Sequence, residues 1–149
     1  MQKPIIKVTE PYLPVKKKLY KDFDNLYKTK NITNNGIYVQ KLEKQLKKYL
    51  GVKHLILTNN GTSAIQIALK ALNIKKNIVT TPFSFVATTN SVLWEKIKPI
   101  YLDIDRKNFN MNFNSLNKIN NPEAVLAVHC FGEPCNYQKQ KKYIKKKKN

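Results

Sequence analysis

Between His54 and His129 the chain alternates short apolar runs with stretches whose apolar residues recur every three or four positions, and few folds accept that rhythm. His54 to Thr58, Asn77 to Thr80, Pro99 to Leu102 and Ala124 to His129 read as strands. Between the first two, Asn59-Asn60-Gly61 is a tight turn, and Ile65, Ala68, Leu69 and Leu72 form the buried side of a helix. Ser84 is placed to cap a second helix through Val86, Leu93 and Trp94, and Asn112 or Asn114 to cap a short third one through Leu116 and Ile119. Strands separated by single helices pair in parallel, because only a crossover of that length returns the chain to the same end of the sheet. The fold class is therefore α/β with a mostly parallel sheet, in which Pro99 is tolerated at a strand start or on an edge.

Residues 1–53 have a different pattern and read as an N-terminal helical segment ahead of an α/β part at 54–136. Pro14 suits a first helical position, and Val15, Leu19, Phe23 and Leu26 follow at spacings of 4, 4 and 3. The Thr33-Asn-Asn-Gly36 segment is a loop. Val39, Leu42, Leu46, Tyr49 and Leu50 define a second helix, and Gly51 falls where a left-handed cap ends it. At the other end, residues 137–149 form a lysine-rich tail whose only apolar members beyond Tyr137 are Tyr143 and Ile144, too few to dock a helix. The sheet thus reads as truncated, and a parallel sheet with uncovered faces and edges predicts a poorly soluble product.

The formal charge of +19, from 28 Lys+Arg against 9 Asp+Glu, suggests nucleic acid until it is mapped. Residues 1–54 hold 13 basic and 4 acidic groups, residues 55–138 hold 8 and 5, and residues 139–149 hold 7 lysines and no acid. No single stripe interleaved with aromatics emerges, and Arg106 is the only arginine, so a basic module for nucleic acid or anionic surfaces is the lesser alternative. The start lacks an apolar signal core, and the run from Asn77 to Trp94 is broken by Pro82 and by hydroxyl residues, so neither a secretory signal nor a membrane span is expected. The chain reads as cytoplasmic. Cys130 and Cys135, with His129 as the one nearby imidazole, are too few for a structural metal site and read as reduced, partly buried thiols.

Neither the Gly-x-Gly-x-x-Gly nor the Gly-x-x-x-x-Gly-Lys-Ser/Thr fingerprint occurs. Gly61 is the informative glycine, since it sits where a strand gives way to a helix and the free N–H groups of a first turn favour an anion. Thr62 and Ser63 add hydroxyls there, a set suited to one phosphate dianion. The same residues are also an ordinary turn and helix cap. One crossover later, Phe85 within Thr80-Thr-Pro-Phe-Ser-Phe-Val-Ala-Thr-Thr-Asn90 is placed to offer an aromatic face to a flat heteroaromatic ring, or simply to pack against the sheet.

Five segments, in order and spacing, resemble the N-terminal part of the DegT/StrS-type sugar aminotransferases: Gly-Val-Lys-His at 51–54, Asn-Asn-Gly-Thr-Ser-Ala at 59–64, Thr-Thr-Pro-Phe-Ser-Phe-Val-Ala-Thr at 80–88, Pro-Ile-Tyr-Leu-Asp-Ile-Asp at 99–105 and Val-His-Cys-Phe-Gly-Glu-Pro-Cys at 128–135. The resemblance covers residues 5 to about 138. It implies the aspartate-aminotransferase fold and pyridoxal 5'-phosphate as cofactor, with Gly61, Thr62 and Ser63 holding its phosphate and Phe85 stacking on its pyridine ring. It also implies substrate contacts at Thr33 and Asn34, a nucleotide-linked keto-sugar and glutamate as substrates, and a homodimer. His129 lies at a strand end near the cofactor side, where a hydrogen-bonded core histidine is an equal reading.

In that family a lysine binds the cofactor covalently and moves protons, and an aspartate keeps the pyridine nitrogen protonated. Both follow the segment matched by Val128-His129, and neither has a counterpart in this chain, so no catalytic residue is assigned. Asn136 stands where the family has an aspartate, and Gln138 to Asn149 reads as a helix derailed into lysine codons. The expectation is a truncated or frame-disrupted gene product, inactive alone. A subset of the family with histidine in place of the lysine carries out sugar dehydration, and the segments present leave that alternative open.

Overall fold

A computed structural model describes residues 6–136 together with 138 and 141, so the lysine-rich tail lies largely outside the described residues. The chain divides into two compact units, residues 1–57 and 58–149.

The first unit is a pair of helices, α1 (Lys16–Thr29) and α2 (Ile37–Leu50). Val15 is the N-cap of α1, and Pro14 precedes it rather than taking the first helical position, since Val15 accepts from Lys18 and Leu19 through its carbonyl and Pro14 has no role in that ladder. Gly51 ends α2 with φ +64°, the left-handed cap expected of it, and its N–H donates to the Lys47 carbonyl. The Tyr38 hydroxyl joins the helices, 3.0 Å from the Asp22 carbonyl oxygen and 3.1 Å from its carboxylate. Asn34 and Asn35, at the tip of the connecting loop, both have positive φ, a backbone that asparagine tolerates better than most residues.

In the second unit a three-stranded parallel sheet has the order β2-β1-β3, with β1 at Asn77–Thr80, β2 at Lys98–Tyr101 and β3 at Ala124–Val125. Val79 faces Ile100 on one side and Val125 on the other. Because side chains alternate along a strand, Ile78 and Val79 feed opposite faces. Ile78 packs with Leu69, Val92 and Ile97, under helices α3 (Gly61–Ala71) and α4 (Ala87–Trp94). Val79 packs with Leu102, Met111, Phe113, Leu116 and Cys135 on the face covered by the 3-10 segment Phe113–Lys118. The Asn112 side chain caps that segment by accepting from the Asn114 N–H at 3.1 Å, which resolves the choice of cap in favour of Asn112. Pro99 sits in β2, an edge of this sheet, where a missing donor does no harm.

Three expectations need correction. His54 to Thr58 is not a strand: β1 is flanked by β2 and β3, none of the three strands pairs with this segment, and the Leu57 N–H donates instead to the Glu43 carboxylate at 2.9 Å. Ile56 is consequently 81% exposed, although its run reads as buried. Secondly, Ser84 does not cap α4, whose N-cap is Val86; the Ser84 hydroxyl is 2.7 Å from that of Thr88, and the first turn is closed by the Thr88 N–H donating to the Phe85 carbonyl. Thirdly, the fourth apolar run pairs over only its first residues, 124–125. One further bond from the Leu126 N–H to the Val79 carbonyl at 2.8 Å ends the ladder, because the central strand stops at Thr80, whose hydroxyl donates to the Leu126 carbonyl.

Candidate functional site

The first turn of α3 is built by Asn60. Its backbone is extended, and its side-chain oxygen accepts from the Ser63 N–H at 2.8 Å. One of the donors expected for a phosphate is thereby engaged in the cap. The N–H groups of Gly61 and Thr62, the first two of the helix, have no carbonyl four residues back to receive them. Gly61 has an ordinary negative-φ backbone, so its glycine is not required by strain; a Cβ there would meet nothing within 4 Å. The space over the helix end is open, and two backbone donors, the helix dipole and the hydroxyls of Thr62 and Ser63 border it. The Ser91 hydroxyl, fully buried, donates to the Thr62 carbonyl at 3.4 Å and so ties this turn to α4.

A cavity of about 390 Å³ lies where β1 and β3 run out, lined by Pro82–Phe85 and Val128–Phe131. The carboxyl ends of adjacent parallel strands are the usual place for a ligand in such sheets, because the loops that leave them diverge there. Phe85 presents most of its ring to solvent, at 79% exposure. Among the described residues no lysine lines this cavity. His129, also in its wall, is exposed, and its Nδ1 accepts from the Cys135 N–H at 2.9 Å. That bond occupies Nδ1 and leaves Nε2 as the other ring nitrogen. Of the two readings for His129, the residue is hydrogen-bonded yet not in the core.

The loop carrying His129 is shaped by Asn110, which is 3% exposed. Its side-chain oxygen accepts from the Cys130 N–H at 2.8 Å and its amide donates to the Glu133 carbonyl at 3.0 Å. Between those two points Phe131 and Gly132 both have positive φ, +50° and +83°. The Cys135 thiol donates to the Val128 carbonyl at 2.8 Å, and burial, with the neighbouring Cys130 adding to it, pushes the Cys135 thiol above its ordinary range. Cys130 and Cys135 are both free and buried.

Gly61, Thr62 and Ser63 thus form one helix end, and Phe85 joins His129 around the cavity, which does not include the helix end among its walls. Thr33 and Asn34 belong to the first unit and are exposed there. Sequence reasoning missed Asn110 and the aromatic cluster of Phe83, Phe109 and Phe131. A lone buried asparagine has no local pattern, and the three phenylalanines come from separate loops. The one available signal was a pair of bulky residues beside turn formers, Phe109 between Asn108 and Asn110 and Phe131 before Gly132.

The second unit thus combines an α/β topology, an open helix end and a separate cavity at the strand ends, features common in small-molecule sites. Residues 15–148 match the DegT/DnrJ/EryC1/StrS aminotransferase family, and the chain belongs to it. It is 42% identical over 140 residues to the dTDP-4-amino-4,6-dideoxy-D-glucose transaminase of Shigella dysenteriae, which covers 93% of this chain and 38% of that enzyme. Among solved structures it is similar to DesI, determined in the presence of its TDP-sugar product (TM-score 0.83, 25% identity, 89% of this chain and 34% of DesI). It is also similar to NtdA of Bacillus subtilis with bound PMP (TM-score 0.80, 28% identity, 99% of this chain and 36% of NtdA). The chain therefore spans little more than a third of the length of these relatives, and its fold is a partial version of theirs, as an N-terminal portion would be. The family is one of aminotransferases, and its structural neighbours carry pyridoxal-phosphate chemistry: PMP is bound in NtdA, and a PLP-glutamate geminal diamine is trapped in a GDP-4-keto-6-deoxymannose-3-dehydratase (TM-score 0.75, 26% identity).

The residues present fit that cofactor. The opening above Gly61 has the donors and the room for a phosphate, and the exposed Phe85 ring is a free aromatic face. Among the described residues no helix is long and apolar enough to cross a membrane, and no group of three or more metal-ligating side chains occurs.

Proposed function

We propose that this chain is the N-terminal portion of a pyridoxal-phosphate-dependent nucleotide-sugar aminotransferase, the part that seats the cofactor rather than the part that carries out its chemistry. The observation that carries this reading is the first turn of α3. There the Gly61 and Thr62 N–H groups border open space, in which even an added Cβ at Gly61 would meet nothing within 4 Å, in a family whose structural neighbours hold a phosphorylated cofactor. Thr62 and Ser63 add hydroxyl donors to the phosphate, and Phe85 covers one face of the pyridine ring. When bound, pyridoxal phosphate supplies the electron sink for moving an amino group. The protein's own contribution is binding and orientation: Asn60 fixes the turn by holding the Ser63 N–H, and the Ser91 hydroxyl anchors the Thr62 carbonyl.

The complete enzyme moves an amino group from glutamate to a nucleotide-linked keto-sugar, works in the cytoplasm and is a homodimer. Thr33 and Asn34 contact its substrate, and the division into a helical segment at 1–53 and a cofactor-binding part at 54–136 reflects these separate tasks.

Titration of the full 149-residue chain with pyridoxamine 5'-phosphate, which binds without a covalent bond, tests the reading. Ligand-observed NMR is expected to show binding that weakens at least about tenfold in Gly61→Val, while circular dichroism is unchanged. Absence of binding, or equal binding by both proteins, refutes it.

A further inference from the structure

Phe83, Phe109 and Phe131 meet at the rim of the cavity with ring centroids 5.9 to 6.1 Å apart. Phe83 and Phe109 are stacked at 26°, and Phe131 is T-shaped to both, at 77° and 80°. Such a cluster ordinarily belongs in a core. Here all three rings are exposed, Phe131 the most at 83%.

The backbone is held in a costly shape to keep them there. Phe109, at the tip of a turn spanning Asp105 to Asn110, has φ +59°, and Phe131 has φ +50°, a region that bulky residues avoid. Strain of this sort persists where the surroundings enforce it, and it gathers at ligand sites. Asn110 is the enforcing residue. It is the immediate neighbour of Phe109, and its side chain clamps the loop on both sides of Phe131.

We propose that these three phenylalanines form the platform on which the nucleobase of a nucleoside-diphosphate sugar stacks. The proposal rests on the nucleotide-sugar reading above and adds the subsite that reads the nucleotide. Phe85 is not part of the cluster, so the cofactor ring and the base have separate aromatic surfaces. A volume of about 390 Å³ is that of a small-molecule pocket, not of a groove for a helix. Arg106 and Lys107, both exposed, lie three and two residues before Phe109, which brings cations for a diphosphate into the same turn as the platform.

The test uses the full chain with dTDP, with inorganic pyrophosphate as a probe lacking the base. Stacking on an aromatic ring is worth enough that Phe131→Ala is expected to weaken dTDP at least about fivefold. Phe131→Leu, which keeps apolar bulk but has no ring face, is expected to lose as much, and Phe131→Trp to restore binding. Pyrophosphate and pyridoxamine 5'-phosphate affinities stay unchanged in all three. No dTDP binding by the parent chain, or equal dTDP binding by parent and Phe131→Leu, overturns the platform while leaving the cofactor reading to its own titration. A change of oligomeric state on sedimentation with dTDP affinity unaltered also overturns it, in favour of contact between copies.

Discussion

Replacing Asn110 by alanine removes two hydrogen bonds at once, and they differ in cost. The Glu133 carbonyl belongs to an exposed residue, so water takes the place of the lost amide and the net loss is about 0.5–1.5 kcal/mol. The Cys130 N–H belongs to a residue that is 8% exposed, and without its acceptor it stays buried and unpaired, which costs about 1–3 kcal/mol. Together the expected destabilisation is about 2–4 kcal/mol, a large part of the about 5–15 kcal/mol that holds a domain together. With a mid-range urea slope of about 2 kcal/mol per molar, the unfolding midpoint should fall by about 1–2 M. Amide exchange should locate the damage, with the Cys130 N–H exchanging faster than those of the β1 ladder. The matching control is Gln40→Ala, which removes an exposed amide bond to the Asn35 carbonyl and is expected to shift the midpoint much less. If Asn110→Ala and Gln40→Ala have equal midpoints, Asn110 is not the clamp described.

Glu123 accepts from the Lys76 and Lys75 N–H groups at 2.6 and 2.8 Å, and those bonds hold its carboxyl below its ordinary value of 4.5. A depressed folded value means that its stabilisation is complete above about pH 4.5 and is lost as the pH falls through the lower folded value; the acid limb of a pH–stability profile should flatten in Glu123→Gln. Burial keeps the Cys135 thiol protonated at neutral pH, so both cysteines should alkylate with iodoacetamide much more slowly in the native chain than in urea, as mass spectrometry can follow. Gly51→Ala forces a Cβ into a left-handed backbone with no steric neighbour to blame, so thermal unfolding should report a loss of about 1 kcal/mol from conformation alone.

The helices, the central strand and the turn that opens α3 were legible because each is governed by local chemistry. Gly51 and Asn112 are caps, and the alternation of Ile78 and Val79 needs only the pleat. His54 to Thr58 misled because an apolar run reports burial and not a partner; whether it becomes a strand depends on another segment offering a ladder. The cavity was half legible: Phe85 and His129 lie in recognisable motifs, whereas Asn110 acts on residues 20 and 23 positions away, a distance at which periodicity carries no information.

Neither α1 nor α2 contains a single buried residue, although both are amphipathic. Fourteen-residue helices are near the length at which isolated helices stop being self-sustaining in water. Their cooperativity is therefore on loan: Leu19, Phe23, Leu42 and Leu50 are greasy enough to drive a docking event and too few to form a hydrophobic nucleus between them. Residues 16–50 should accordingly melt ahead of the parallel sheet, and the two processes should separate in calorimetry as a broad low-temperature shoulder and a sharper peak.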